Sequence, residues 1–358
     1  MTQVQLPPVE RRRHSAGGVT MLFLVLALAL VVLLVVSAGT GQLAIPANEV
    51  LSSVLRRIGI ETGVPVTAPN GEIALWNVRF PRVVLVAVVG AGLAVGGVLM
   101  QGVFGNPLAD PSVVGVSSGA AAGAVLVIVL GWQALGEWGI ATGAFVGGLV
   151  ATIIAYTTAR SAGRTEVVTL VLTGIAVNAV AGAIVAFMSF LGDTAAREQI
   201  VFWQLGSFNG TRWAQVWVAL PLIVLGIVGA LVVARQLDLL ALGERSARHV
   251  GVDVESLRLV VIVLVAVTTS AAVAFCGIIG FVGLVVPHVV RMLVGPGHRV
   301  LVPASVLAGS VVLLAADLAA RTLVPYAELP IGMLTALIGG PFFFWLLRST
   351  RNRSGGWS

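Results

Sequence analysis

The chain has 358 residues, 58% of them hydrophobic and only 10% charged. A soluble domain is about half apolar and about a quarter charged, so a water-soluble fold is not the default here. The 21 basic residues are all Arg and outnumber the 15 acidic ones, for a net charge of +6. Because these Arg are scattered between apolar runs, the excess reads as membrane orientation and not as nucleic-acid binding.

The apolar runs come in chain order with short polar breaks. Arg11, Arg12 and Arg13 precede a run over 19–36, which is longer than the core of a signal peptide and reads as a first membrane helix. The predicted spans are 19–38, 82–102, 112–131, 139–159, 167–190, 213–234, 257–275, 278–294, 301–322 and 331–348. Such runs cross lipid only as helices, since every backbone amide must be bonded internally. The fold class is therefore all-α, a polytopic membrane protein of about ten helices. It comprises an N-terminal tail 1–18, one transmembrane domain 19–348 and a C-terminal tail 349–358. Two intervening stretches differ in character. Residues 192–212 are polar and aromatic, reading as a short helix plus loop. Residues 235–258 are charged and amphipathic, reading as one or two helices outside the bilayer.

Ten spans put both ends on one side, and the Arg residues then segregate. Fourteen fall on one face: Arg11–Arg13, Arg160, Arg164, Arg235, Arg245, Arg248, Arg258, Arg291, Arg299, Arg348, Arg351 and Arg353. The other seven are Arg56, Arg57, Arg79, Arg82, Arg197, Arg212 and Arg321. The Arg-rich face is expected to be cytoplasmic, with both termini inside. Gly92 and Gly96, Gly119 and Gly123, and Gly143 and Gly147 stand four apart and predict close helix packing.

Catalytic signatures are missing from the sequence. It has no His-Glu-x-x-His, no Gly-x-Ser-x-Gly and, lacking Lys, no phosphate-binding Gly-x-x-x-x-Gly-Lys loop. The single Cys276 allows no internal disulfide and no Cys-based zinc site. Asp317 is the carboxylate set well within an apolar span, and Arg321 follows it at i+4, on the same helix face. Such a residue is a functional candidate by default, the alternative being a structural pair with Arg321 near the outer helix end. An ion-coupled carrier usually shows more buried ionisable groups than this. An intramembrane enzyme using His288 and Asp317 would need them together, yet the topology puts them near opposite faces.

The most specific stretch begins with Arg79-Phe80-Pro81-Arg82. It continues through Gly90-Ala91-Gly92 and Gln101 to Asn106-Pro107-Leu108-Ala109-Asp110-Pro111 and Gly115-Val116-Ser117-Ser118-Gly119. Each Pro restricts the residue before it, predicting a tight turn. Later come Leu242-Gly243-Glu244 with Ala247, Arg248 and Gly251, then Gly280-Phe281-Val282-Gly283 leading to Pro287-His288. Asp317, Arg321 and Glu328-Leu329-Pro330 follow, and Gly339-Gly340-Pro341-Phe342-Phe343 closes the series. From about residue 20 to 348 this order of motifs resembles the FecCD-type permeases, membrane subunits of ATP-driven importers for iron chelates, haem and cobalamin.

The resemblance implies a non-catalytic permease. Its partners would be a second permease copy, two cytoplasmic ATPase subunits that use ATP and Mg, and an external substrate-binding protein. The permease would hold no cofactor or metal of its own, bind no nucleic acid and sit in the bacterial inner membrane. It further implies that Leu242, Gly243, Glu244, Ala247, Arg248 and Gly251 couple to the ATPase. Arg79, Arg82 and Arg321 would dock the binding protein. Asn106, Pro107, Asp110, Pro111, Pro287, His288 and Asp317 belong to the structural motifs. Glu244 and Arg248, four apart, are expected to pair. The pathway would be lined by the fifth and tenth spans and the short helix after the fifth. Val285-Val286-Pro287-His288, Gly339-Gly340-Pro341 and Phe202-Trp203-Gln204-Leu205-Gly206-Ser207 resemble the haem-importing branch, with ferric siderophore and cobalamin as alternative cargoes.

Overall fold

The computed structural model describes residues 16–161 and 164–353. Arg11, Arg12, Arg13 and Ser354, with the rest of the two tail ends, lie outside them. The helices are α1 (Ala16–Gly39), α2 (Ala47–Arg57), α3 (Gly71–Ala74), α4 (Phe80–Phe104), α5 (Val116–Leu130), α6 (Gly139–Ala159), α7 (Val167–Leu191) and α8 (Thr194–Leu205). There follow α9 (Trp213–Leu240), α10 (Glu244–His249), α11 (Val254–Cys276), α12 (Val282–Val294), α13 (His298–Thr322) and α14 (Ile331–Arg353). A short antiparallel hairpin, β1 (Arg160–Ser161) with β2 (Arg164–Thr165), joins α6 to α7.

Among the described residues seven helices are long and apolar enough to cross a membrane: α1, α4 with its N-terminal extension, α6, α7, α9, α11 and α13. Three shorter apolar helices, α5, α12 and α14, complete the ten predicted from sequence. At 1.5 Å per residue, the 24 residues of α1 reach across a hydrocarbon layer of about 30 Å. The face where α1 starts is called the near face below, and the one where it ends the far face.

Backbone breaks explain where the helices depart from the predicted spans. α5 starts at Val116, not 112, because Pro111–Val114 forms a single tight turn and Gly115 turns the chain at φ 85°. α12 starts at Val282, not 278, because Gly277 (φ 73°) and Phe281 (φ 66°) interrupt the helix. α9 continues to Leu240, six residues past the predicted end, since nothing before Gly243 (φ 104°) stops it. The segment 235–258 is thus largely the ends of α9 and α11, with α10 between them. On the far face, α2 and the extension of α4 back to Gly71 had no predicted counterpart. A five-residue π-helical turn, Leu75–Arg79, links that extension to α4.

α4 and α11 form the buried middle of the bundle, and α1 packs outside it against α13. The predicted small-residue packing holds at α5 and α6. A Cβ on Gly123 would collide with the Gly143 carbonyl, and one on Gly147 with the Gly119 carbonyl. Backbones can approach this closely only where side chains are absent. Gly92 and Gly96 instead receive side chains, Ile223 of α9 and Thr269 of α11.

Candidate functional site

At the far face the termini of α1, α4 and α13 converge on three guanidinium groups. Arg82, in the first turn of α4, donates to Asp317 Oδ1 through Nη2 at 2.7 Å and through Nε at 3.1 Å, and also binds Glu328. Arg321 donates from Nε to Asp317 Oδ2 at 3.1 Å, so the predicted Asp317–Arg321 pair is present. Arg321 further bonds the carbonyls of Ser37 and Thr40, at 3.2 and 3.1 Å. Arg79 donates to the carbonyls of Ala38 at 2.8 Å and Gly39 at 3.0 Å, and to that of Leu43. The last turn of a helix leaves carbonyls without intrahelical partners, and here two arginines supply the donors. Arg79 and Arg82 are each only 9% exposed and Asp317 is 0% exposed. The three Arg singled out for docking are therefore brought together at one end of the bundle, but with their charges turned inward. Glu328, in the loop before α14, joins this group. Its signal in the sequence was only its place in Glu328-Leu329-Pro330.

At the near face the Asn106–Pro111 motif forms the turn between α4 and α5. The Asn106 side chain accepts from Leu108 N, and Asp110 accepts from Ser112 N, both at 2.9 Å, so Asp110 caps the turn begun by Pro111. Burial pushes the Asp110 carboxyl above its usual range, against the lowering effect of the Ser112 bonds. Pro287 removes a backbone donor inside α12, so the Gly283 carbonyl lacks its i+4 donor. That carbonyl lies against the bare Cα of Gly97 in α4. Gln101 of α4 donates to the Leu284 carbonyl at 3.1 Å and accepts from Arg291 at 3.1 Å. His288 stays on this face with a buried, unpartnered Nδ1, while Asp317 belongs to the far-face network. His298, 1% exposed at the start of α13, bonds Asp238 of α9 through both its backbone N, at 2.8 Å, and its Nδ1, at 2.6 Å. This last pair had no signal in the sequence, since its members are 60 residues apart.

The proposed coupling residues surround α10. Gly243 (φ 104°) and Gly251 (φ 88°) bracket it in conformations that suit glycine. Within it Ala247 is buried, while Leu242 just before it is 71% exposed. Glu244 does not pair with Arg248. Glu244 binds Arg258, and Arg248 lies 3.6 Å from Glu255. Buried Arg258 needs carboxylates more than exposed Arg248 does, so it captures Glu244. Asp253 caps α11 by accepting from Glu255 N and Ser256 N, and the Ser256 bonds hold its carboxyl below the usual range.

The fifth and tenth spans and the short helix after the fifth are α7, α14 and α8. Each is among the more exposed helices. Phe187 and Phe190 of α7, Phe202 of α8, and Phe344 and Trp345 of α14 are all more than half exposed. α8 and α14 touch where Ile331 N donates to the Gly206 carbonyl at 3.1 Å. Among the described residues no group of three or more His, Cys, Asp or Glu side chains is arranged to hold a metal ion.

Comparison with known proteins gives a consistent match. The model of the FecCD transport family matches residues 28–349. The chain is 44% identical over 295 residues to the cobalamin import system permease protein BtuC of Halobacterium salinarum, covering 82% of this chain and 78% of that one. It is 45% identical over 290 residues to the hemin transport system permease protein HmuU of Yersinia pestis, covering 79% and 86%. A solved structure of an inward-facing metal-chelate type ABC transporter superposes with a TM-score of 0.80 at 34% identity, covering 92% of this chain and 99% of that one.

Proposed function

The chain belongs to the FecCD transport family, and on that premise we propose that it is the permease of an ATP-driven importer whose cargo is haem. The family and its ten apolar helices make it a multi-pass membrane permease of the metal-chelate, haem and cobalamin class. Such a permease works with an ATPase and a substrate-binding protein. We place the near face in the cytoplasm, on the strength of the Arg segregation. Two copies of the chain would enclose the pathway between α7, α8 and α14.

The observation that carries the haem assignment is the apolar and aromatic surface those three helices leave uncovered. A flat ring system stacks favourably on Phe and Trp faces. The 45% identity to a hemin permease supports the same cargo. Cobalamin is the second reading, favoured by the near-equal identity to a cobalamin permease.

On the near face, Leu242 and Val250 are large apolar side chains exposed beside polar neighbours on the segment around α10. They suit a docking surface for the ATPase. On the far face, Arg79, Arg82 and Arg321 would organise the seat of the binding protein. Their bonds hold the end of α1 and the α13–α14 loop, and Glu328 is the partly exposed member of that group. The test is reconstitution in liposomes with its cognate ATPase and binding protein. ATP-dependent accumulation of haem, unaffected by excess cobalamin, is the expected result. Accumulation of cobalamin or a ferric siderophore, with none of haem, overturns the cargo assignment. Uptake without ATPase overturns the importer.

A further inference from the structure

The hairpin between α6 and α7 ends at Thr165, two residues before α7 begins. Thr165 is 3% exposed, and its backbone is held by the first turns of α11. Its N–H donates to Glu255 Oε2 at 2.9 Å, and its carbonyl accepts from Arg258 Nη1 at 3.1 Å. The same Nη1 reaches Glu255 Oε1 at 3.1 Å, and Nη2 reaches the Glu244 carboxylate at the start of α10. One buried guanidinium thus ties the start of α7, the first turns of α11 and the start of α10.

The network has a direction. Glu244, at its outer end, has a side chain about half exposed, while Arg258 and Thr165 lie inside. Along its length α7 buries only Leu170, Gly174 and Ala181, and its further contacts run to α5, α6 and the Pro111–Val114 turn, where Asn178 bonds Ser118. Displacement of α10 therefore has a short bonded route to the backbone at which α7 starts. Arg suits this position because its planar fork serves several acceptors at once in fixed geometry. A Lys ammonium is a compact point charge and cannot hold the same set.

We propose that Arg258 is a positioning residue that carries displacement of α10 to the inner end of α7, and so to the wall of the pathway. The proposal rests on the reading of α10 as part of the ATPase contact and of α7 as pathway wall.

The experiment uses the full assembly in liposomes, with haem accumulation and phosphate release measured on the same vesicles. Arg258→Gln should co-purify with the ATPase and release phosphate at a rate within about twofold of the parent. Its haem carried per ATP should fall about tenfold or more. Arg258→Lys should lie between the two. Hydrogen exchange supplies a readout that a merely structural role would not move. In the parent, amides 165–168 should change protection between the nucleotide-free and ATP-trapped states, and Arg258→Gln should lose that change. Full haem yield per ATP in Arg258→Gln, or a retained nucleotide response at 165–168, overturns the proposal. Should Arg258→Gln fail to fold, Arg258→Lys keeps the buried charge but not the fork, and a full haem yield with a full nucleotide response at 165–168 there overturns the proposal equally. Docking itself is tested by Leu242→Asp, which should abolish ATPase co-purification. Failure of that reading shows as an assembly that persists. Failure of the Arg258 proposal shows as an intact assembly whose Arg258→Gln form transports at full yield.

Discussion

Asp317 illustrates how a single buried carboxylate sets local stability. It sits between Arg82 and Arg321 with no exposed surface, and Arg79 adds a third positive charge at the same end of the bundle. Removing the acid leaves three guanidinium groups with Glu328 as the remaining carboxylate of the cluster. Breaking a buried ion pair by deleting one partner costs about 3–5 kcal/mol, because the other charge stays buried without compensation. Asp317→Leu should therefore lower the thermal unfolding temperature in detergent markedly. Asp317→Asn, which keeps hydrogen-bonding capacity, should lower it less. Arg82→Gln should also cost less, since Asp317 retains Arg321. If Arg82→Gln proves the more damaging of the single changes, the acid is not the keystone of this cluster. The same geometry changes what charge reversal at Arg79 and Arg82 would report. Acidic residues there would break internal bonds before they disturbed any docking surface.

At the scale of elements, α5 and α6 show how small residues substitute for the hydrophobic effect inside lipid, where helix association rests on close packing. A Cβ at Gly147 would meet the Gly119 carbonyl, whereas nothing lies within 4 Å of one at Gly182 in α7. Gly147→Ala should therefore destabilise the permease by about 1–3 kcal/mol, the usual range for overpacking. Gly182→Ala should be neutral or slightly stabilising, because Ala is the better helix former. Thermal unfolding of the two variants side by side checks this, and equal effects would mean that α5 and α6 can part without cost. α11 uses a different device. Thr268, Thr269 and Ser270 are consecutive, and each hydroxyl points at a glycine of a different helix: Gly226 in α9, Gly96 in α4 and Gly148 in α6. Their hydroxyl oxygens have no hydrogen-bond partners in the described structure.

For the whole molecule, the two faces carry different polar networks. Near-face bonds link α4 to α12, α9 to α13, and the α6–α7 turn to α11. Far-face bonds link α1, α4 and α13 to the loop before α14. The orientation proposed from the Arg distribution, with the near face inside, is directly measurable. With Cys276 replaced by Ala, a Cys at Tyr326, fully exposed on the far face, should react with an impermeant thiol reagent in intact cells. A Cys at Leu242 should react only after the membrane is opened. The reverse pattern would invert the topology.

The ten spans, the all-helical class and the family were legible in the sequence, because a continuous apolar run of about 20 residues satisfies its backbone in lipid as a helix, which leaves length and composition as the signal. The Asp317–Arg321 pair was legible for a similar reason, since i and i+4 on one helix are neighbours wherever the helix packs. The tertiary structure alone decided the rest. Arg82 meets Asp317 across 235 residues, and Arg258 meets the Thr165 carbonyl across 93. Local spacing likewise gave the wrong partner for Glu244, because α10 ends after six residues and Arg258 of the following helix comes within reach. Charge partners in a bundle are chosen by which helix ends share a face and by which charge burial leaves most in need of one. Neither is written in the spacing of residues along the chain.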